Sequence, residues 1–322
     1  MKTIKICILL LFVTAGVSAQ TGALCFNADK KLKIVQFTDI HWIPGNENSE
    51  IAATNMNAVL DAEKPDLVIF TGDLAYGSPA KEALDRALEP VISHGVPYVV
   101  TWGNHDDEHD MTRKELSEYI KDKPGNIGVN VDGISGTANY VLPIKSATTD
   151  SIASVIYVFD SHSYRKIDPA RGYAWISLDQ INWYVATSRA YTEQNGGAPL
   201  PSLAFFHIPF PEYNQAAASE NAFLTGTRGE PACSPQANSG LFTAMLEQGD
   251  VMATFVGHDH NNDYAVLWKG ILLCYGRYSG GKTVYNDLPG GNGARIIEIE
   301  EGKRQVTTWI RLKDGCINYL QH

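Results

Sequence analysis

The chain has 322 residues, of which 44% are hydrophobic and 19% charged, without a long low-complexity stretch, so it is neither disordered nor fibrous and can bury a real core. Its formal charge of −10 argues against a nucleic acid as partner, since a polyanion would be repelled unless a local patch or a metal drew it in.

The chain opens with Lys2 and Lys5, an apolar run from Ile6 to Val17, and Val17-Ser18-Ala19 before Gln20. This is the pattern of an export signal cleaved after Ala19, because the apolar run is well short of the roughly 20 residues needed to span a bilayer. Cleavage would move the formal charge to −12 and leave residues 20–322 as a single domain, secreted or periplasmic, without stable membrane insertion. Four cysteines remain, Cys25, Cys233, Cys274 and Cys316, with no C-x-x-C spacing. Cys25 with Cys316, which would tie the two ends together, is one of three possible pairings, and four unpaired thiols are also open.

The run Lys31 to Thr38 alternates like a strand and ends at Asp39; Asp66 to Phe70 does the same before Thr71-Gly72-Asp73. Between them Ile51 to Glu63 reads as a helix stopped before Pro65, and a second helix follows Ser78-Pro79 to about Ser93. The strand Pro97 to Thr101 then runs into Trp102-Gly103-Asn104-His105. These lengths describe βαβ units, hence a parallel sheet with functional residues beyond the strands' carboxyl ends. Further strands are expected at Ala138–Ile144, Ala153–Phe159, Ser202–Phe206, Val251–Val256, Ile271–Tyr275, Ala294–Ile299 and Gln305–Ile310, with helices near Leu178–Ala190 and Leu241–Gln248. Those after Val251 read as antiparallel. The fold class is therefore α/β, a two-sheet β-sandwich flanked by helices, and the loops Glu193–Pro201, Phe210–Ser239 and Asp287–Gly293 are long enough to shape a site.

Five segments carry metal-capable side chains where a strand meets a loop: Asp39-Ile40-His41, Gly72-Asp73, Gly103-Asn104-His105-Asp106, Phe206-His207 and Gly257-His258-Asp259-His260. They hold five of the nine histidines. In extended backbone, residues i and i+2 point the same way, so Asp39 with His41, and His258 with His260, can approach one metal region together. Imidazole nitrogens mixed with carboxylate oxygens suit Fe, Zn or Mn, and Asp73 is the natural carboxylate to bridge two ions. The glycines before Asp73, Asn104 and His258 allow sharp turns and a close backbone.

D-x-H, G-D, G-N-H-D, a lone histidine after a strand and G-H-x-H, in that order from Asp39 to His260, resemble the calcineurin-like metallophosphoesterase signature. The blocks Phe205 to Glu212 and Phe255 to Asp263 also resemble the purple-acid-phosphatase-related branch of that family. The resemblance implies a four-layer fold and two metal ions, with Asp39, His41 and His260 on the first, Asn104, His207 and His258 on the second, and Asp73 on both. It further implies that His105 faces the substrate, protonating the leaving oxygen or stabilising the transition state, while a metal-activated hydroxide attacks phosphorus.

Asp106 and Asp259 read as orienting neighbours, and Tyr76 as packing beside the site. Gly72-Asp73-Leu74-Ala75-Tyr76 matches the G-D-x-x-Y of true purple acid phosphatases, but those usually have glycine where this chain has His41. His94, His109 and His322 read as surface residues; His162, Arg171 and Arg277 are weaker candidates for reaching the site. The activity expected is hydrolysis of a small phosphorylated substrate, a phosphomonoester before a nucleotide or glycerophosphodiester. A binding protein on a decayed enzyme fold is the reading from another class.

Overall fold

The computed structural model describes residues 24–322, so the expected leader, Met1 to Ala19, lies outside the described residues. Two sheets face one another. The six-stranded sheet has the order β15 (Gly315–Gln321), β14 (Val306–Leu312), β13 (Gly293–Glu300), β1 (Lys31–Phe37), β2 (Leu67–Thr71) and β3 (Tyr98–Thr101). The seven-stranded sheet has the order β4 (Tyr140–Lys145), β5 (Ile152–Val158), β8 (Ser202–Phe205), β10 (Val251–Val256), β12 (Ile271–Tyr275), β11 (Ala265–Trp268) and β9 (Leu224–Thr225). A separate hairpin joins β6 (Tyr164–Lys166) to β7 (Arg171–Tyr173).

Period-two alternation decides which side chain enters which layer. On β5, Ile156 and Val158 enter the core shared by the two sheets, while Val155 and Tyr157 pack outward; β8 and β12 divide likewise, Leu203 and Phe205 from Ala204, Leu272 and Cys274 from Leu273 and Tyr275. The outward set is covered by α4 (Leu178–Gln194), α5 (Glu212–Ala217) and α6 (Leu241–Gln248). Helices α1 (Glu50–Glu63) and α2 (Ala80–Ser93) cover the other sheet, with Met56, Leu60, Leu84 and Leu88 buried. The short α3 (Arg113–Ile120) begins with a capping box, Thr112 with Glu115. No helix among the described residues is long and apolar enough to cross a membrane.

Three expectations need correction. The strands after Val251 are not uniformly antiparallel: β10 pairs parallel with β12, while β12 with β11, and β13 with β14 and β14 with β15, pair antiparallel. The stretch Phe210–Ser239 is not all loop, since it contains α5 and β9. Cys25 does not pair with Cys316. All four described cysteines are free thiols; Cys25 bridges to Lys145 at the edge of one sheet while Cys316 lies on the edge strand of the other.

Strands β1, β2 and β3 are parallel neighbours in one sheet, and β8 and β10 in the other. Their carboxyl ends therefore deliver five loops to one edge of the sandwich, where the sheets meet: Gln36 of β1 donates to the Val256 carbonyl of β10 at 3.0 Å.

Candidate metal centre

The five motifs converge at that edge into two groups of buried side chains. One is Asp39, His41 and His260; the other is Asp73, His207 and His258, and within each group the ligating atoms lie within 4.8 Å of one another. Asn104 joins the second group, its Oδ1 3.2 Å from His207 Nε2. Asp73 Oδ2 is 3.2 Å from His207 Nε2 and 3.7 Å from His41 Nε2, so this carboxylate faces both groups.

The pairing of Asp39 with His41 holds, but the extended-backbone reason for it does not. Asp39, His41, Asp73 and His258 all have left-handed backbones, with φ of 56°, 47°, 55° and 81°. His258 and His260 accordingly divide between the two groups. Four non-glycine residues held in a conformation that costs of order 1 kcal/mol or more each, all at one site, mark a place where side-chain direction outweighs local comfort. Two of the glycines act through space and not through φ. A Cβ on Gly103 would sit 2.0 Å from Asp73 Oδ1, and one on Gly257 1.9 Å from Thr38 Oγ1 and 2.8 Å from Asp39 Oδ2.

The donor set fits cations. Asp73 Oδ2 and His258 Nε2 are buried without a hydrogen-bond partner, and leaving such a group unpaired costs about 1–3 kcal/mol. His41 and His260 turn Nε2 toward each other at 3.0 Å. Burial pushes His41 and His258 well below their ordinary range and His260 to about 4, which leaves neutral imidazoles, the ligating form. Burial also raises Asp39 to about 7. Burial alone would lower His207, yet Asp73 beside it holds it up at about 9; Asp73, against its own burial, is held well below the carboxylate range by His207. The positive charge Asp73 draws from that proton is the charge a bound cation would bring. The two clusters thus fit a dinuclear metal centre.

Neighbouring side chains brace the loops. Asp106 supplies no ligating atom to either group; its carboxylate accepts the N–H groups of Asp73, Leu74, Ala75 and Gly103 at 2.7 to 2.9 Å. Asp259 accepts from the Tyr275 hydroxyl at 2.6 Å and from the Cys233 N–H. Tyr76 packs edge-on against His41, ring centroids 5.0 Å apart, and against His105 at 5.2 Å. His105 is partly exposed, with Nδ1 2.5 Å from Glu108, and its ring is 5.5 Å from that of His41.

Other candidates lie elsewhere. His162 is bonded to Gln180 at 2.9 Å behind the site, Arg277 is buried against Asp263 and the carbonyls of Pro289 and Gly291, and Arg171 pairs with Asp168 at the hairpin tip. None of the three clamps a phosphate position. His94 pairs with Asp61, His322 is exposed, and His109 is exposed beside Tyr76. Sequence reasoning missed Glu108, Tyr164, Tyr173 and Tyr285. Glu108 had a signal, a carboxylate three residues after His105. Tyr285, stacked on His260 at 4.5 Å, comes from a loop, and Tyr173, edge-on to His258 at 4.3 Å, from the short strand β7; no local pattern announces either.

Comparison with known proteins agrees with this geometry. Residues 32–262 match the model of the family described as calcineurin-like phosphoesterase. The chain is 33% identical to "Probable inactive purple acid phosphatase 14" of Arabidopsis thaliana, over 90% of this chain and 83% of that one. It is 34% identical to "Phosphatase DCR2" of Saccharomyces cerevisiae, over 88% of this chain and 54% of that protein. Among solved structures, a dimetal phosphatase from Danio rerio shares the fold with a TM-score of 0.62 at 12% identity, covering 90% of this chain and 98% of that one.

Proposed function

The chain belongs to the calcineurin-like phosphoesterase family, and from that premise we propose that it is an exported, catalytically competent phosphomonoesterase of small phosphorylated substrates. The observation that carries competence is the completeness of both clusters, down to the unpaired Oδ2 of Asp73 facing each of them. A relative's name includes the word inactive; in this chain every ligand position of the signature is filled.

In this reading Asp39, His41 and His260 hold one ion, Asn104, His207 and His258 the other, and Asp73 both. Ions held there, drawn from Fe, Zn or Mn, would supply charge to screen the phosphate and would bring a water's pKa toward neutrality. The chain's own residues do the rest. Asp106 fixes the Gly72 to Ala75 turn and thereby Asp73; the Gly103 turn presents Asn104 and His105 side by side. His105, anchored through Nδ1 by Glu108, turns Nε2 outward; with both ring nitrogens protonated it would give the Nε2 proton to the leaving oxygen, or hold charge on the phosphoryl group. Tyr76, Tyr173 and Tyr285 pack on three of the histidines and restrict water around them.

The monoester preference is supported by the absence, among the described residues, of a hydrogen bond or ion pair from an arginine or lysine side chain to the two clusters, so no basic group there is placed to read a second phosphate substituent. The test is turnover by residues 20–322 of nitrophenyl phosphate against bis(nitrophenyl) phosphate and glycerophosphodiesters. Faster hydrolysis of the diesters would move the assignment to a phosphodiesterase. Mass analysis of exported protein still carrying Met1 would refute cleavage after Ala19.

A further inference from the structure

The β6–β7 hairpin lies against the second cluster, and one of its side chains is wired to it. Tyr164 Oη is 3.1 Å from Asn104 Nδ2 and 3.2 Å from Glu108 Oε1, and the second oxygen of Glu108 meets His105 Nδ1 at 2.5 Å. Tyr164 pairs in register with Tyr173, their rings stacked 5.7 Å apart, and Tyr173 packs on His258.

The chain of hydrogen bonds has only one consistent direction. An ionised carboxylate accepts and cannot donate, so Tyr164 donates its single O–H to Glu108. The Tyr164 oxygen is then left as an acceptor, and the Asn104 atom facing it must be the NH2 group. That turns Oδ1, the atom able to ligate, toward His207, from which it lies 3.2 Å. The same carboxylate accepts the N–H of His105 Nδ1, which leaves Nε2 as the ring atom free for substrate.

We infer that Glu108, acting through Tyr164, is the positioning residue that sets the polarity of the site: it selects which end of the Asn104 amide faces the second ion and which nitrogen of His105 faces the substrate. The inference rests on Asn104 being a metal ligand. It makes the hairpin part of the active site, because Tyr164 reaches Asn104 only from there. A glutamine at position 108 could donate to Tyr164 and reverse the chain, freeing the amide to present NH2 to the cation; phenylalanine at 164 would leave the amide without direction.

The experiment is competition by a graded chelator on the two-ion protein for wild type, Tyr164→Phe, Glu108→Gln and the double variant, counting ions per chain. Each single variant should give up one ion 10- to 100-fold more readily while keeping the other. The double variant should be no worse than the weaker single, because both interrupt one chain. A merely structural role would loosen both ions together, and independent roles would multiply. Either of those results, or ion retention equal to wild type, overturns the inference while leaving the dinuclear reading intact. A wild type that holds fewer than two ions overturns both.

Discussion

The carboxylate of Asp106 accepts the backbone N–H of Asp73 at 2.9 Å and, with its second oxygen, those of Leu74 and Ala75, so the residue after His105 fixes the turn carrying the shared carboxylate. Asp106→Ala would orphan four buried donors. The expected loss is about 3 kcal/mol or more, read as a lower denaturant midpoint, with Asp106→Asn intermediate because it keeps one accepting oxygen. A change within 0.5 kcal/mol, typical of surface substitutions, would show that the turn needs no such support.

Gly257 leaves no room for a Cβ beside Thr38 Oγ1 and Asp39 Oδ2. Gly257→Ala should cost the ion held by Asp39, His41 and His260, while Gly95→Ala, at a left-handed residue with open space around it, should cost only stability. Metal content per chain separates them. Full metal content in Gly257→Ala would mean that the Thr38 and Asp39 side chains can step aside.

His162 gives the pH dependence. Burial lowers its pKa below the ordinary value, against the pull of Asp160, so the folded state holds it neutral where the unfolded chain would be protonated. Its contribution to stability is present above the unfolded value, about 6.5, and is lost as pH falls from there toward the folded value. His162→Asn keeps a side chain tolerant of the φ of 63° and removes the titration. The stability of wild type relative to this variant should therefore fall between pH 7 and pH 5. A constant difference over that range would exclude a neutral His162.

His105→Ala should keep both ions and lose turnover, by about 10²–10⁴-fold for an alkyl phosphate and by less for nitrophenyl phosphate, whose leaving group needs little protonation. Loss of an ion would make His105 a ligand. Equal losses for the two esters would assign it to charge on the phosphoryl oxygens instead.

Much of this site could be read from the sequence because strand ends are local. A β-branched or alternating run stopped at Asp39, Thr71-Gly72-Asp73 or Gly257-His258 announces both the strand and the loop that follows. The partition of His258 from His260 could not be read from spacing, since it depends on left-handed backbone conformations at Asp39, His41, Asp73 and His258 that only the assembled site enforces. The resemblance to the family supplied it. Arg277 shows the opposite failure: a loop arginine near the motifs looked able to reach the site, but its partner Asp263 is chosen by a tertiary contact that no local pattern encodes. The β6–β7 hairpin, three residues a side, is too short for periodicity to reveal, and with it went Tyr164 and Tyr173.

Ion counting on purified residues 20–322 and on Asp73→Asn and Asp259→Asn, alongside nitrophenyl phosphate turnover, addresses the dinuclear site itself. Wild type and Asp259→Asn should carry close to two ions per chain, and wild type should hydrolyse the ester; Asp73→Asn should lose both ions and the turnover with them, because its carboxylate alone faces both clusters. At most one ion in wild type, or equal losses in the two variants, would contradict a centre built around Asp73.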